Sequence, residues 1–363
     1  MSMAATRMYY NGFFPAVSRT MSGFVPRSNL LKHCLGRFTR VLSGVESGDE
    51  RSLHRARVAS RRLRELVPVL QLDSEATHKL SRRLRKVTKR LGTVRELDVM
   101  LALVDELQES QPVHHDALRR VRAAVAEARE DARKRLLDNL PAAEMRRTAG
   151  KLSRVLDELR LAEEARSMRR HPVHAKTAAW AIDARVTNRA TRLAAAVQEA
   201  GAVYLPERLH VVRIAGKKLR YALELAIAAG RNEEKMPAAG VLKSRKSSLR
   251  TLKRVQETLG RMHDMQVLID HVRETQALLT PPSQTAWREL DALVIALDES
   301  CRRLHARYVR DRAPIQTIID RLHESPSAVS RAIVPPERHT ALERQTKVRQ
   351  MGPEHHASVR RAK

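Results

Sequence analysis

The chain has 363 residues, with 69 Lys+Arg against 41 Asp+Glu, a formal net charge of +28 and only 3% aromatic residues. That length suffices for one large or two small domains with a sizeable core, and the charge speaks to an anionic partner rather than to fold. No apolar run reaches the roughly 20 residues that span a bilayer, and Cys34 and Cys301, far apart and without metal-ligand spacing, read as reduced core thiols.

Residues 1–26 include Tyr9, Tyr10, Phe13 and Phe14 but lack the apolar core of a signal peptide, and read as an irregular segment. Apolar spacing predicts a first helix near 27–45. Ser47-Gly48-Asp49-Glu50 reads as a capping box opening a second helix to about Gln71. Asp73 or Ser74 can cap a third, to about Glu109, with Leu80, Leu84, Val87 and Leu91 as its inward stripe. A fourth helix covers about 113–138. Pro141 suits a helix start and opens a linking helix, to about residue 170. His171-Pro172 separates the halves. Helices then follow over 174–200, from Pro206, over 241–279, and from Pro281-Pro282 to about Val309. Composition favours helix throughout. The expectation is an all-α fold of two pseudo-repeated, four-helix bundle-like halves around a basic central groove. The first half is about 27–140 and the second about 171–310, within a domain over 27–325. Residues 326–363 read as a disordered basic tail.

Two segments 156 positions apart carry one pattern. The first is Leu53-His54-x-x-Arg57-Val58-Ala59-x-Arg61-Arg62-Leu63-Arg64. The second is Leu209-His210-x-x-Arg213-Ile214-Ala215-x-Lys217-Lys218-Leu219-Arg220. A helix turns about 100° per residue, so His54, Arg57, Arg61 and Arg64 share one face, as do His210, Arg213, Lys217 and Arg220. A second pair, Leu91-Gly92-x-x-Arg95-Glu96-x-Asp98-Val99 and Leu259-Gly260-x-x-His263-Asp264-x-Gln266-Val267, recurs at an offset of 168. The larger offset puts an insertion near 231–246.

Charge is concentrated in the same regions. Segments 51–64, 79–95, 208–220 and 243–254 hold 25 Lys/Arg and no acid. Besides the two ridges, they present Arg82, Arg83, Lys86, Lys89 and Arg90, and then Arg250, Lys253 and Arg254, on outward faces. Phosphate oxygens need such clustered donors: Arg offers a rigid fork and Lys a mobile point charge. Adjacent phosphate favours protonated histidine, so anion binding is expected to strengthen as pH falls through the histidine range. Asp98, Glu96, Asp264 and Glu224 read as buttresses for the basic groups rather than as metal ligands. No Gly-rich phosphate loop, H-E-x-x-H, C-x-x-C or G-x-S-x-G is present.

In these motifs the sequence resembles the CHAD family, the conserved histidine α-helical domain. The likeness covers about 27–310 and rests on the paired His-plus-basic signature, the Leu91-Gly92 and Leu259-Gly260 segments, and Tyr221 after the second ridge. It implies two similar helical halves with a basic groove or pore, and non-catalytic binding of inorganic polyphosphate. The family's basic positions carry over to His54, Arg57, Arg61, Arg62 and Arg64, and to His210, Arg213, Lys217, Lys218 and Arg220. Glu96 stands where the family usually has Asp, and His263 where Asn is common. The E-x-E-x-K strand of fused triphosphate-tunnel domains is absent, so triphosphatase activity is not implied.

The resulting expectation is a cytoplasmic polyphosphate binder, with no cofactor, that also docks on polyphosphate granules. Nucleic acid is the competing partner, since positive charge alone binds DNA or RNA nonspecifically. Single-strand binders add aromatic stacking platforms, and the basic segments have none apart from Tyr221 at one edge. A third reading is a scaffold on a granule or anionic membrane surface.

Overall fold

A computed structural model describes residues 26–110, 112–139, 142–168, 173–229 and 239–324. The expected irregular start, basic tail and His171-Pro172 break fall largely or wholly outside them, and of the expected insertion near 231–246 residues 239–246 belong to a helix while the rest lies outside. Every described element is helical: α1 Arg27–Thr39, α2 Leu42–Glu46, α3 Glu50–Leu66, α4 Ser74–Arg90, α5 Gly92–Ser110, α6 His115–Asp138, α7 Ala142–Met168, α8 Val173–Ala200, α9 Pro206–Ala229, α10 Ala239–Ala277 and α11 Gln284–Glu324, with short 3-10 turns at Val67–Val69 and Pro112–His114. The fold is all-α.

Local chemistry sets the helix ends. Asp49, rather than Ser47, caps α3, its carboxylate accepting the Ser52 amide at 2.8 Å. Pro68 turns the end of α3 into a 3-10 turn, short of the expected Gln71. Asp73 caps α4 in the same way, accepting from the Ala76 amide at 2.7 Å. Two expected helices are each divided. The first breaks at Arg40 and Val41, giving α1 and α2, and the third breaks at Leu91, giving α4 and α5. The last helix runs well past Val309. It carries Pro314 inside it, and beyond that proline Ile315, Ile318 and Ile319 are buried, so core packing outweighs the missing backbone donor.

α3 and α9 pack together at the centre, and one continuous apolar core surrounds them. On α3 the buried face is Leu53, Ala56, Ala59, Ser60 and Leu63. Its small residues let α4 approach closely enough for the Ser60 and Thr88 hydroxyls to bond at 2.9 Å. The second half of α9 is almost wholly enclosed: Ala222, Leu223, Leu225, Ala226, Ile227, Ala228 and Ala229 are all buried. α9 packs on α8 and α10, while α10 packs along α11. Arg261 on α10 grips Glu106 on α5 through two contacts of 2.7 and 2.8 Å. Cys34 and Cys301 are buried free thiols. Among the described residues no helix is long and apolar enough to cross a membrane.

Candidate functional site

A cavity of about 920 Å³ opens between α1, α3, α9 and α10. α3 supplies Arg51, Ser52, His54, Arg55, Val58, Ala59, Arg61 and Arg62, on successive turns. α9 supplies Lys217, Arg220, Tyr221 and Glu224; α10 supplies Lys253; and Arg37 and Arg40 come from the end of α1. Among the described residues, nine Lys and Arg side chains therefore face one carboxylate. That carboxylate is structural. Glu224 lies 3.3 Å from Arg62 and 3.6 Å from Arg220, joining the two ridges where α3 meets α9. The Arg220 guanidinium also lies 5.0 Å from the centre of the Tyr221 ring.

The cost of gathering these charges shows in their titration. Lys217 is pushed down to about 7, first by burial and then by Arg213 and Arg61, against a smaller pull from Asp264. His54 is pushed down to about 4, first by burial and then by Arg95, Arg57, Arg61 and Arg55. In the absence of an anion the His54 ring is therefore neutral at physiological pH. Burial and then Arg62 also hold Arg37 below the ordinary arginine range.

The expected site residues divide into three groups. His54, Arg61, Arg62, Lys217, Arg220 and Lys253 line the cavity. Arg57 and Arg213 do not. Each turns to a carboxylate at corresponding positions of the second duplicated motif, Arg57 to Glu96 at 3.1 Å and Arg213 to Asp264 at 3.7 Å. Next to these pairs, Arg95 acts on His54, while His263 brings its Nδ1 to 3.3 Å from the Nδ1 of His210. His210 thus stands with His263, outside the cavity lining. Burial, then Arg213 and Lys217, hold its pKa low. Arg64 and Lys218 also lie outside the lining, facing Glu65 and α8.

The outward cations form the third group. Arg82, Lys86, Lys89 and Arg90 are exposed along α4, as are Arg250 and Arg254 along α10. Arg83 is tied to Glu144 of α7 at 3.1 Å. Asp98 does not meet the ridges; it accepts from Arg129 of α6 at 2.7 Å. Among the described residues, no group of three or more His, Cys, Asp or Glu could hold a metal ion.

Four lining cations, Arg37, Arg40, Arg51 and Arg55, were not singled out by the motif. Arg51 and Arg55 lie within the acid-free run 51–64, and Arg37 and Arg40 within the acid-free stretch 1–45, so charge segregation was the signal available.

The CHAD domain family model matches residues 29–273, a span containing every residue that lines the cavity. The chain belongs to the CHAD family. Among solved structures it is similar to the CHAD domain of the plant Ricinus communis, with a TM-score of 0.51 and 20% identity, over 87% of this chain and 98% of that one. It is also similar to PptA from Streptomyces chartreusis, with a TM-score of 0.46 and 15% identity, over 82% of this chain and 98% of that one. At these identities the CHAD-domain crystal structure supports the fold alone. No curated protein matches the chain significantly.

Proposed function

We propose that this CHAD domain binds inorganic polyphosphate noncovalently in the α3–α9 cavity and performs no catalysis on it. The observation that carries the reading is the cavity's charge balance, nine Lys/Arg to one carboxylate that is already shared between Arg62 and Arg220. Surface cations paired with acids contribute only about 0–1 kcal/mol. Here the excess positive charge is concentrated in a partly enclosed space, where each charge-assisted hydrogen bond to phosphate contributes about 1.5–3 kcal/mol. The proposed contacts are Arg61, Arg62, Lys217, Arg220 and Lys253, with Arg37, Arg40, Arg51 and Arg55 joining them. Arg57 and Arg213 act as positioning groups through Glu96 and Asp264. The exposed cations of α4 and α10 add to the attractive field.

The alternative, a nucleic-acid-associated or granule-surface scaffold, draws on the same charge. Two observations favour polyphosphate. Among the described lining residues Tyr221 is the one Phe, Tyr or Trp, and it is 9% exposed and occupied by Arg220, so bases find no tyrosine, phenylalanine or tryptophan platform to stack on. The cavity volume is that of a ligand pocket, which a thin phosphate chain can enter and a duplex cannot. Docking on granules follows from affinity for their polymer.

The test is competitive binding of long-chain polyphosphate, duplex DNA and single-stranded RNA at matched phosphate concentration over several salts. Polyphosphate is expected to bind most tightly throughout. Tighter binding of duplex DNA across that range overturns the assignment.

A further inference from the structure

The two halves differ at a buried place where their duplicated helices touch. Ser60 on α3 corresponds to Gly216 on α9. Thr88 on α4, three residues before Leu91-Gly92, corresponds to Gln256 on α10, three residues before Leu259-Gly260. In the first half the pair is closed. The Ser60 and Thr88 hydroxyls lie 2.9 Å apart, and each also bonds a backbone carbonyl, that of Arg57 and of Leu84 respectively. In the second half the pair is open. A Cβ at Gly216 would stand 3.8 Å from the Gln256 Nε2, so the long amide reaches over the position where a side chain is missing. Gln256 is 7% exposed, yet neither its Nε2 nor its Oε1 has a hydrogen-bond partner among the described residues.

A buried amide left without partners is costly, and an apolar side chain of similar size would avoid that cost. The surroundings of Gln256 suggest what the amide is for. Lys253 stands one turn away on α10, while Gly216 on α9 is followed by Lys217 and, a turn later, by Arg220; all three of these cations line the cavity. Gln256 and Gly216 are not themselves part of the lining. The amide therefore lies behind the α9–α10 wall of the cavity, and with no side chain at 216 it is free to turn.

We infer that Gln256 is a neutral contact for polyphosphate, its Nε2 donating to a nonbridging phosphate oxygen while its Oε1 accepts from the Lys253 ammonium one turn away. This inference rests on the cavity reading given above. It adds orientation to a site whose other contacts are charges, because a carboxamide offers a donor and an acceptor in fixed relation.

Titration of the full chain with long-chain polyphosphate at several salts tests this. Gln256→Leu removes two buried polar atoms that lack partners, so its ligand-free thermal midpoint is expected to equal or exceed that of wild type. It should bind polyphosphate about tenfold more weakly. The slope of log affinity against log salt should stay that of wild type, because a neutral donor releases no counterion. Gly216→Ser offers the amide a hydroxyl, as Ser60 does Thr88, and should weaken binding with the slope again unchanged. Wild-type affinity in either variant overturns the contact. A shallower slope does so too, since it means that cations were displaced, and a lowered midpoint in Gln256→Leu makes the amide a packing element instead. The cavity reading fails differently: Arg61→Gln/Lys217→Gln would then leave affinity and slope unchanged.

Discussion

Lys217 is the residue at which the cavity's electrostatics are most readily measured. Its ordinary pKa of 10.5 falls to about 7 in the folded, ligand-free protein because burial and Arg213 disfavour the ammonium. Between about 7 and 10.5 the unfolded chain holds a proton that the folded chain has released. Stability of the ligand-free protein therefore gains a contribution that grows as pH rises across that window. A bound polyanion reverses the sign, because it favours charged Lys217, raises its pKa and draws in a proton. The stabilisation added by polyphosphate is thus expected to shrink as pH rises above 7. Thermal midpoints with and without polyphosphate, at pH 6.5 and pH 9, measure this. Lys217→Arg, which stays charged, should remove most of the narrowing, and an unaltered narrowing would separate Lys217 from the ligand.

His54 extends the same logic to lower pH. Its free pKa is about 4, and phosphate raises it, so affinity should increase as pH falls from the bound-state pKa towards about 4. Equal polyphosphate affinity of His54→Ala and wild type at pH 6 would contradict this. The ridges were legible in the sequence, but their division was not. Helical spacing gives His54, Arg57, Arg61 and Arg64 one face, yet it does not reveal which neighbour covers each turn. α5 takes Arg57 through Glu96, α8 and α4 meet Arg64, and only His54 and Arg61 of this stripe reach the cavity.

At the scale of elements, the duplicated Leu-Gly steps are not equivalent. A Cβ at Gly92 would come 2.7 Å from the Arg57 guanidinium, whereas a Cβ at Gly260 meets nothing within 4 Å. Gly260 lies well inside α10, where glycine carries only its entropic penalty. Gly260→Ala is expected to stabilise the fold by about 0.5–1 kcal/mol, read as a shift in denaturant midpoint. Gly92→Ala should fold but displace Arg57 from Glu96. A loss of stability in Gly260→Ala would mean that α10 is packed more closely at that point. The α3–α9 crossing is the second test. Glu224→Gln leaves Arg62 and Arg220 without their shared charge, and should destabilise the ligand-free protein by about 1–3 kcal/mol. Saturating polyphosphate, which supplies negative charge to the same guanidiniums, should restore much of that loss. Most helices were legible because their apolar spacing is regular. The breaks at Arg40 and Leu91 were not, since neither is marked by proline, and α11 was cut short because Pro314 masks the isoleucines that continue its stripe.

At the scale of the whole molecule, the charge map carried more than the motif did. Acid-free runs far apart in sequence meet around one cavity, and the carboxylates that remain nearby are committed to holding arginines in position. If the cavity holds polyphosphate as proposed, counterion release drives much of the binding, and affinity should fall steeply and linearly on a log–log plot against salt. The most direct measurement is that slope for long-chain polyphosphate, in wild type and in the folded variant Arg61→Gln/Lys217→Gln. Both residues line the cavity, one on each ridge. The account predicts a slope shallower by about 0.7 per lost contact and an affinity at least about tenfold lower at physiological salt, since each such contact is worth about 1.5–3 kcal/mol. An unchanged slope and affinity in a correctly folded variant would contradict it.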